Sequence, residues 1–219
     1  MTATSALLLD VDGTLVDSTY VHVRAWGLAL SALGERVAAW RVHRAIGMGS
    51  PQLLEHLLGA ELADRLGEQA VEGHSREYAA LSEELRPLPG ARELVRELTR
   101  RGVRPVLATS ASPEELERLR AVLDVEEELH AVTAGGDVES AKPAPDIVGV
   151  ALERAGVRPE EAIFVGDAVW DVEAAGRAGV RCVGVLSGGI GAAELRDAGA
   201  VRVVADPADL LAHLDELLG

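Results

Sequence analysis

The sequence predicts an α/β fold: a doubly wound parallel sheet with Rossmann-like winding and a helical domain inserted after the first strand. Three observations carry this. Six short apolar, β-branched runs recur along the chain, at residues 5–11, 103–110, 129–134, 161–167, 180–186 and 201–206. They are nearly continuous in apolar character rather than alternating, the pattern of parallel strands covered on both faces. Amphipathic helical stretches separate the later runs, while residues 18–85 contain no strand-like run at all.

Each element has a local reason. The first run ends in Asp10-Val11-Asp12-Gly13-Thr14, where Gly13 lets the backbone turn. Between 18 and 85, apolar residues recur at helical spacing, with turn signals at Gly34, Gly47 to Pro51, Gly59 and Gly67. Leu88-Pro89-Gly90 marks the return, and helices are predicted at 90–101, 113–123, 145–155, 169–178, 192–198 and 207–218. Ser112-Pro113-Glu114-Glu115 reads as an N-cap, a proline in the first turn and acids favoured by the helix dipole. Gly102, Gly156 and Gly179 read as C-cap glycines. The boundaries that follow are an α/β core of residues 1–17 and 86–219 and a helical cap of 18–85. An insert leaving the carboxyl end of a strand sits over the edge where such sheets bind ligands, which makes it a lid.

Composition narrows the function. The 219 residues are 48% hydrophobic with a net charge of −15. A disordered chain is excluded, and so are broad nucleic-acid or anionic-membrane surfaces, which need basic patches. No run approaches the ~20 apolar residues of a membrane span, and the first apolar run lacks the basic start of a signal peptide. The lone cysteine, Cys182, cannot close an internal disulfide and reads as a buried core residue, which suits a reducing cytoplasm. Among the basic residues 20 are Arg and one is Lys, Lys142.

The chemistry gathers at strand ends. Asp10 and Asp12 close the first strand, Thr109 and Ser110 the second, and Asp167 the fourth, with Asp171 four residues later on the next helix. Lys142 follows the third strand. In a parallel sheet these carboxyl ends converge on one edge. Clustered carboxylates repel one another unless a cation joins them, and an all-oxygen donor set suits Mg²⁺. With a lysine, a hydroxyl and a free carboxylate, such a site receives a phosphoryl group.

DVDGT at 10–14, Ser110 after its apolar strand, Lys142 in AKPAPD and GDAVWD at 166–171 resemble, in order and spacing, the four motifs of the haloacid dehalogenase superfamily. The insert resembles that family's small helical cap. The resemblance implies that Asp10 is the nucleophile that forms an aspartyl phosphate and Asp12 the general acid and base. It also implies that Asp10, Asp167, Asp171 and Asp12, the last through its backbone carbonyl, hold Mg²⁺. Ser110 and Lys142 would bind phosphoryl oxygens, with Thr109 as a second hydroxyl and Thr14 supporting the loop. Dehalogenases lack the second aspartate, because a halide leaves without a proton, whereas an ester oxygen gains from an acid.

Within the cap, His22 and Trp26 share a helix face. Trp26 reads as core packing; His22 is open to an active-site role or a capping one. Arg44, Gly47 and Ser50 belong to a glycine-containing turn that would reach the substrate, with Arg44 also readable as a solvated helix end. In the related mutase an arginine aligns with Ser50, which weakens the mutase reading. The other histidines, His43, His56, His74, His130 and His213, show no ligand spacing and read as surface or packing residues. The function implied is a Mg²⁺-dependent phosphatase acting on a small phosphorylated metabolite, as a monomer or homodimer, with no nucleic-acid or membrane partner. The alternatives are a phosphomutase of the β-phosphoglucomutase type and, more remotely, a non-enzymatic phospho-receiver.

Overall fold

A computed structural model describes residues 4–138 and 140–218. In chain order the elements are β1 (Ala6–Leu9), β2 (Val16–Asp17), α1 (Thr19–Ala32), α2 (Ala39–Ala45), α3 (Ser50–Leu58) and α4 (Ala60–Leu81). Then come β3 (Arg86–Pro87), α5 (Ala91–Arg100), β4 (Arg104–Ala108), α6 (Pro113–Leu123), β5 (Ala131–Thr133), α7 (Asp146–Ala155) and β6 (Ala162–Gly166). The chain closes with α8 (Val169–Arg177), β7 (Arg181–Val185), α9 (Ala192–Asp197), β8 (Arg202–Val204), α10 (Pro207–Ala212) and α11 (Leu214–Leu218).

Six strands form one parallel sheet in the order β5-β4-β1-β6-β7-β8. The two central strands, β1 and β6, are apolar at every position because both faces are buried, while β4 and β7 each begin with an exposed arginine. Leu7, Leu9, Leu107, Ile163, Val165 and Val183 point into a core with α5, α6 and α10. Ala6, Leu8, Val106, Ala108, Phe164 and Cys182 point into a second core with α7, α8 and α9. Leu9 is in register with both Leu107 and Val165, so the residues that follow β1, β4 and β6 emerge side by side.

The helices α1 to α4 pack around a third cluster that includes Trp26, Leu30, Val42, Leu53 and Leu57. The segments entering and leaving them run together: β2 pairs antiparallel with β3, Asp17 opposite Arg86. That short pair lies outside the predicted runs, since two residues carry no periodicity.

Two local expectations are corrected. Gly67 is not a turn; α4 continues through it for 22 residues. A mid-helix glycine costs about 1 kcal/mol, a cost outweighed when the helix buries Ala70, Gly73, His74 and Tyr78. Gly73 also permits close approach, since a Cβ there would lie 3.1 Å from that of Ala29 on α1. The predicted final helix is two, α10 and α11, broken at His213, whose Nδ1 bonds the Asp209 carbonyl at 2.8 Å.

Candidate active site

The register of the sheet delivers three carboxylates to one point. Asp10 follows β1, Asp167 follows β6, and Asp171 lies in the first turn of α8. Their side-chain oxygens lie within 4.8 Å of one another. Lys142, 1% exposed, places Nζ 2.6 Å from Asp10 Oδ1 and 2.8 Å from Asp171 Oδ1. The Phe164 ring lies 5.1 Å from the same ammonium. Asp171 is pinned from its other oxygen, which accepts the Ala168 N–H at 3.0 Å. Thr14 Oγ1 donates to Asp167 Oδ1 at 3.3 Å. Backbone crowds Asp167 too: a Cβ on Gly188 would stand 1.6 Å from its Oδ2, and one on Gly13 would stand 2.5 Å away.

Burial and mutual repulsion act on these charges together. Burial pushes the Asp10 carboxyl up to about 7, against the pull of Lys142 and with the push of Asp171 and Asp12. Burial, then Asp171 and Asp10, hold Asp167 well above the usual carboxylate range. Burial works against a charged Lys142, but Asp10 and Asp171 outweigh it and hold the ammonium above its ordinary value. Three carboxylates against one ammonium leave a double negative charge, which a divalent cation matches. The donors are all oxygen, so the residues present fit a hard ion of the Mg²⁺ class, held by Asp10, Asp167 and Asp171.

Asp12 stands apart. Its Oδ1 accepts from Ser18 Oγ at 2.6 Å and meets His22 Nε2 at 3.1 Å. Burial alone would raise its pKa; the charge and hydrogen bond of His22, with the Ser18 bond, bring it below the usual value. The Asp12 carboxylate serves His22 and Ser18, which leaves the backbone carbonyl, the group the resemblance assigns to the ion, as its possible donor. Of the two readings of His22, its position agrees with the site side: α1 carries it, buried, to this carboxylate.

The segment between α2 and α3 and its neighbours lie over the same edge. Ser110 Oγ reaches the Gly47 carbonyl at 3.5 Å, Trp170 Nε1 donates to the Arg44 carbonyl at 3.1 Å, and His43 Nε2 meets the Gly188 carbonyl at 2.7 Å. Gly47, Ser50, Thr109 and Ser110 line a cavity of about 50 Å³ with Asp10, Asp12 and His22. The Thr109 hydroxyl is occupied, accepting the Ala111 N–H at 3.1 Å. Arg44 lies outside that lining, and its guanidinium pairs with Glu194 on α9, Nη1 to Oε2 at 2.7 Å, in keeping with its reading as a helix-end arginine.

Sequence reasoning missed four groups here: Thr14 as a bond to Asp167, Ser18 on Asp12, and the pair His74 and Glu115. His74 lies at the buried face of α4, and Glu115 was read only as a capping acid. It does cap, accepting the Ser112 N–H at 2.9 Å, and its second oxygen turns toward His74.

A chain with this sheet, this carboxylate–lysine cluster and these inserted helices can be placed. Residues 4–179 match the family described as haloacid dehalogenase-like hydrolase. The chain belongs to the haloacid dehalogenase-like hydrolases. It is 33% identical over 219 residues to the phosphorylated carbohydrates phosphatase of Thermotoga maritima, covering 97% of this chain and 99% of that one. It is 33% identical over 188 residues to the phosphoglycolate phosphatase of Pseudomonas savastanoi pv. phaseolicola, covering 83% of this chain and 69% of that one. Among solved structures, a hydrolase from Pseudomonas syringae superposes with a TM-score of 0.94 at 37% identity, covering 99% of this chain and all of that one. Among the described residues, no helix is long and apolar enough to cross a membrane.

Proposed function

We propose that the chain is a Mg²⁺-dependent phosphatase of small phosphorylated metabolites, acting through an aspartyl phosphate on Asp10. The observation that supports this best is the division of labour among carboxylates. Asp10, Asp167 and Asp171 gather around Lys142, while Asp12 is drawn aside by His22 and Ser18. Mg²⁺, when bound, would neutralise the carboxylates and polarise the phosphoryl group.

The chain's own residues do the rest. Asp10 attacks phosphorus, the ester P–O bond breaks, and Asp12 gives its proton to the leaving oxygen. Asp12 then takes a proton from water as that water attacks the phosphorus of the acyl phosphate, releasing phosphate and restoring Asp10. Lys142 and Ser110 hold phosphoryl oxygens.

Residues 18–85 act as the lid. A cavity of about 50 Å³ is far below the several hundred Å³ of an ordinary small-molecule site, so substrate enters with the cap raised. The near full-length likeness to a phosphatase named for phosphorylated carbohydrates supports sugar monophosphates as the substrate class. The buried free thiol of Cys182 suits a cytoplasmic setting.

The test is phosphate release from a panel of sugar phosphates and phosphoglycolate, with Mg²⁺ and with EDTA. Turnover that needs Mg²⁺ and disappears in Asp10→Asn supports the reading; full activity of that variant overturns it. Incubation of β-glucose 1-phosphate with a bisphosphate primer separates the mutase, which yields glucose 6-phosphate, from the phosphatase, which yields free phosphate.

A further inference from the structure

Beyond Asp12 the buried polar contacts continue in a line. His22 Nε2 lies 3.1 Å from Asp12 Oδ1, His22 Nδ1 lies 3.0 Å from His74 Nε2, and His74 Nδ1 lies 3.4 Å from Glu115 Oε1. All but Asp12 are buried, and Asp12 is half-buried. Aromatic rings hold the two imidazoles in place. Tyr78 stacks on His22 and Trp26 on His74, each at 4.2 Å between centroids. The line begins on the core at Asp12, passes through α1 and α4 of the cap, and returns to the core at Glu115 on α6.

We propose that His74 and Glu115 are positioning residues that fix the tautomer and ring orientation of His22, so that its Nε2 is the one variable position and always faces Asp12. The proposal rests on reading Asp12 as the general acid and base. Its logic is donor against acceptor. Glu115 sits in the first turn of α6, its side chain between Ser112 and His74. One of its oxygens already accepts the Ser112 N–H. Toward His74 a carboxylate can only accept, so His74 Nδ1 carries the hydrogen.

Burial, reinforced by the His22 charge, keeps His74 neutral with its pKa pushed down to about 2. A neutral ring with Nδ1–H has Nε2 as acceptor, so His22 Nδ1 must donate to it. Only His22 Nε2 is then left unassigned, and it donates to an ionised Asp12 or accepts from a protonated one. Without Glu115 the polarity of the line can run either way. In the opposite sense His22 Nδ1 accepts and its Nε2 can only donate, so it no longer matches a protonated Asp12. The line also needs both ends, so it assembles only with α1 and α4 seated on the core.

His22, His74 and Glu115 are also residue types that bind transition metals, and their ligand atoms lie within 4.8 Å. Each ring nitrogen already faces a hydrogen-bonding or charged partner, so the geometry favours the relay.

The test uses Glu115→Gln, which keeps the side-chain volume, and His74→Leu as a second variant. For each, kcat/KM is measured with a sugar phosphate, whose alkoxide needs a proton, and with p-nitrophenyl phosphate, whose leaving group does not. Loss of a correctly poised general acid is expected to lower the sugar-phosphate value about tenfold more than the aryl value. Equal losses on both substrates, or none, would overturn the proposal. Spectra of ¹⁵N-labelled histidine with Mg²⁺ and inorganic phosphate provide a readout independent of turnover. His22 is expected Nδ1-protonated in the parent protein and in mixed tautomers in Glu115→Gln; an unchanged tautomer also overturns the proposal. Absence of turnover on any ester would instead sink the phosphatase reading, and the spectra would still decide the relay.

Discussion

Lys142 Nζ lies 2.6 Å from Asp10 Oδ1, and the pair has almost no access to solvent. The only lysine among 21 basic residues therefore sits on the candidate nucleophile, with Asp171 2.8 Å from the same nitrogen. An ammonium on a flexible stem fits between two carboxylates; a planar guanidinium at that point demands a wider gap and a fixed fork. Lys142→Arg is expected to lower kcat/KM at least tenfold, about 1.4 kcal/mol. Near-parental kcat/KM in that variant would make the position of the lysine incidental.

Gly188 makes a second prediction. A methyl there collides with Asp167 Oδ2, so Gly188→Ala must push the carboxylate out of the cluster or move its own loop. Weaker Mg²⁺ binding is expected, about tenfold in Kd, equivalent to about 1.4 kcal/mol. Calorimetric titration measures it beside Asp167→Asn, and unchanged affinity in both variants would show that Asp167 does not hold the ion.

The pair between Arg44 and Glu194 joins the cap to the core, with both side chains about two-fifths exposed. Such pairs weaken with salt. Arg44→Ala is expected to change kcat/KM by no more than about threefold at high salt and by more at low salt. Steady-state rates across an ionic-strength series check this, and a salt-independent loss would point to direct contact between Arg44 and the substrate.

His74 predicts a pH dependence of stability. Its folded-state pKa, pushed to about 2, lies below the ordinary 6.5 of an unfolded histidine. Between these values the unfolded chain binds a proton that the folded chain refuses, so stability falls as pH falls from about 6.5. The slope approaches about 1.4 kcal/mol per pH unit, or about 2 kcal/mol by pH 5. His74→Gln removes this contribution. Urea unfolding at pH 7.5 and pH 5 should show the parent protein losing more stability on acidification than the variant; parallel losses would refute it.

Much of this was legible before any coordinates, for physical reasons. β1, β4 and β6 are apolar at successive positions because Leu7 and Leu8, or Ile163 and Phe164, face opposite cores. That pattern identifies a parallel sheet, and the sheet brings Asp10, Ser110 and Asp167 to one edge. Lys142 after the third strand and Asp171 four residues beyond Asp167 join the same strand-end reading, and the motif order agrees with both.

What stayed hidden depends on side-chain direction and on helix-to-helix contact. Nothing local to α4 says that His74 meets His22, 52 residues away. Glu115 fits the pattern of a first-turn acid on α6, and that pattern carries no information about where its second oxygen points. Arg44 lies in the last turn of α2, just before the loop that reaches the site, and a carboxylate on α9, far off in sequence, turns its charge aside. Gly67 carried a turn signal that tertiary packing overrode.

The central claim is a covalent phosphoryl intermediate on one residue. Protein mixed with a sugar phosphate and Mg²⁺, quenched in acid within one turnover and digested for tandem mass spectrometry, tests it directly. A phosphoryl adduct on Asp10, absent from Asp10→Asn, is the expected result. An adduct on another residue, or parental turnover by Asp10→Asn, would contradict it.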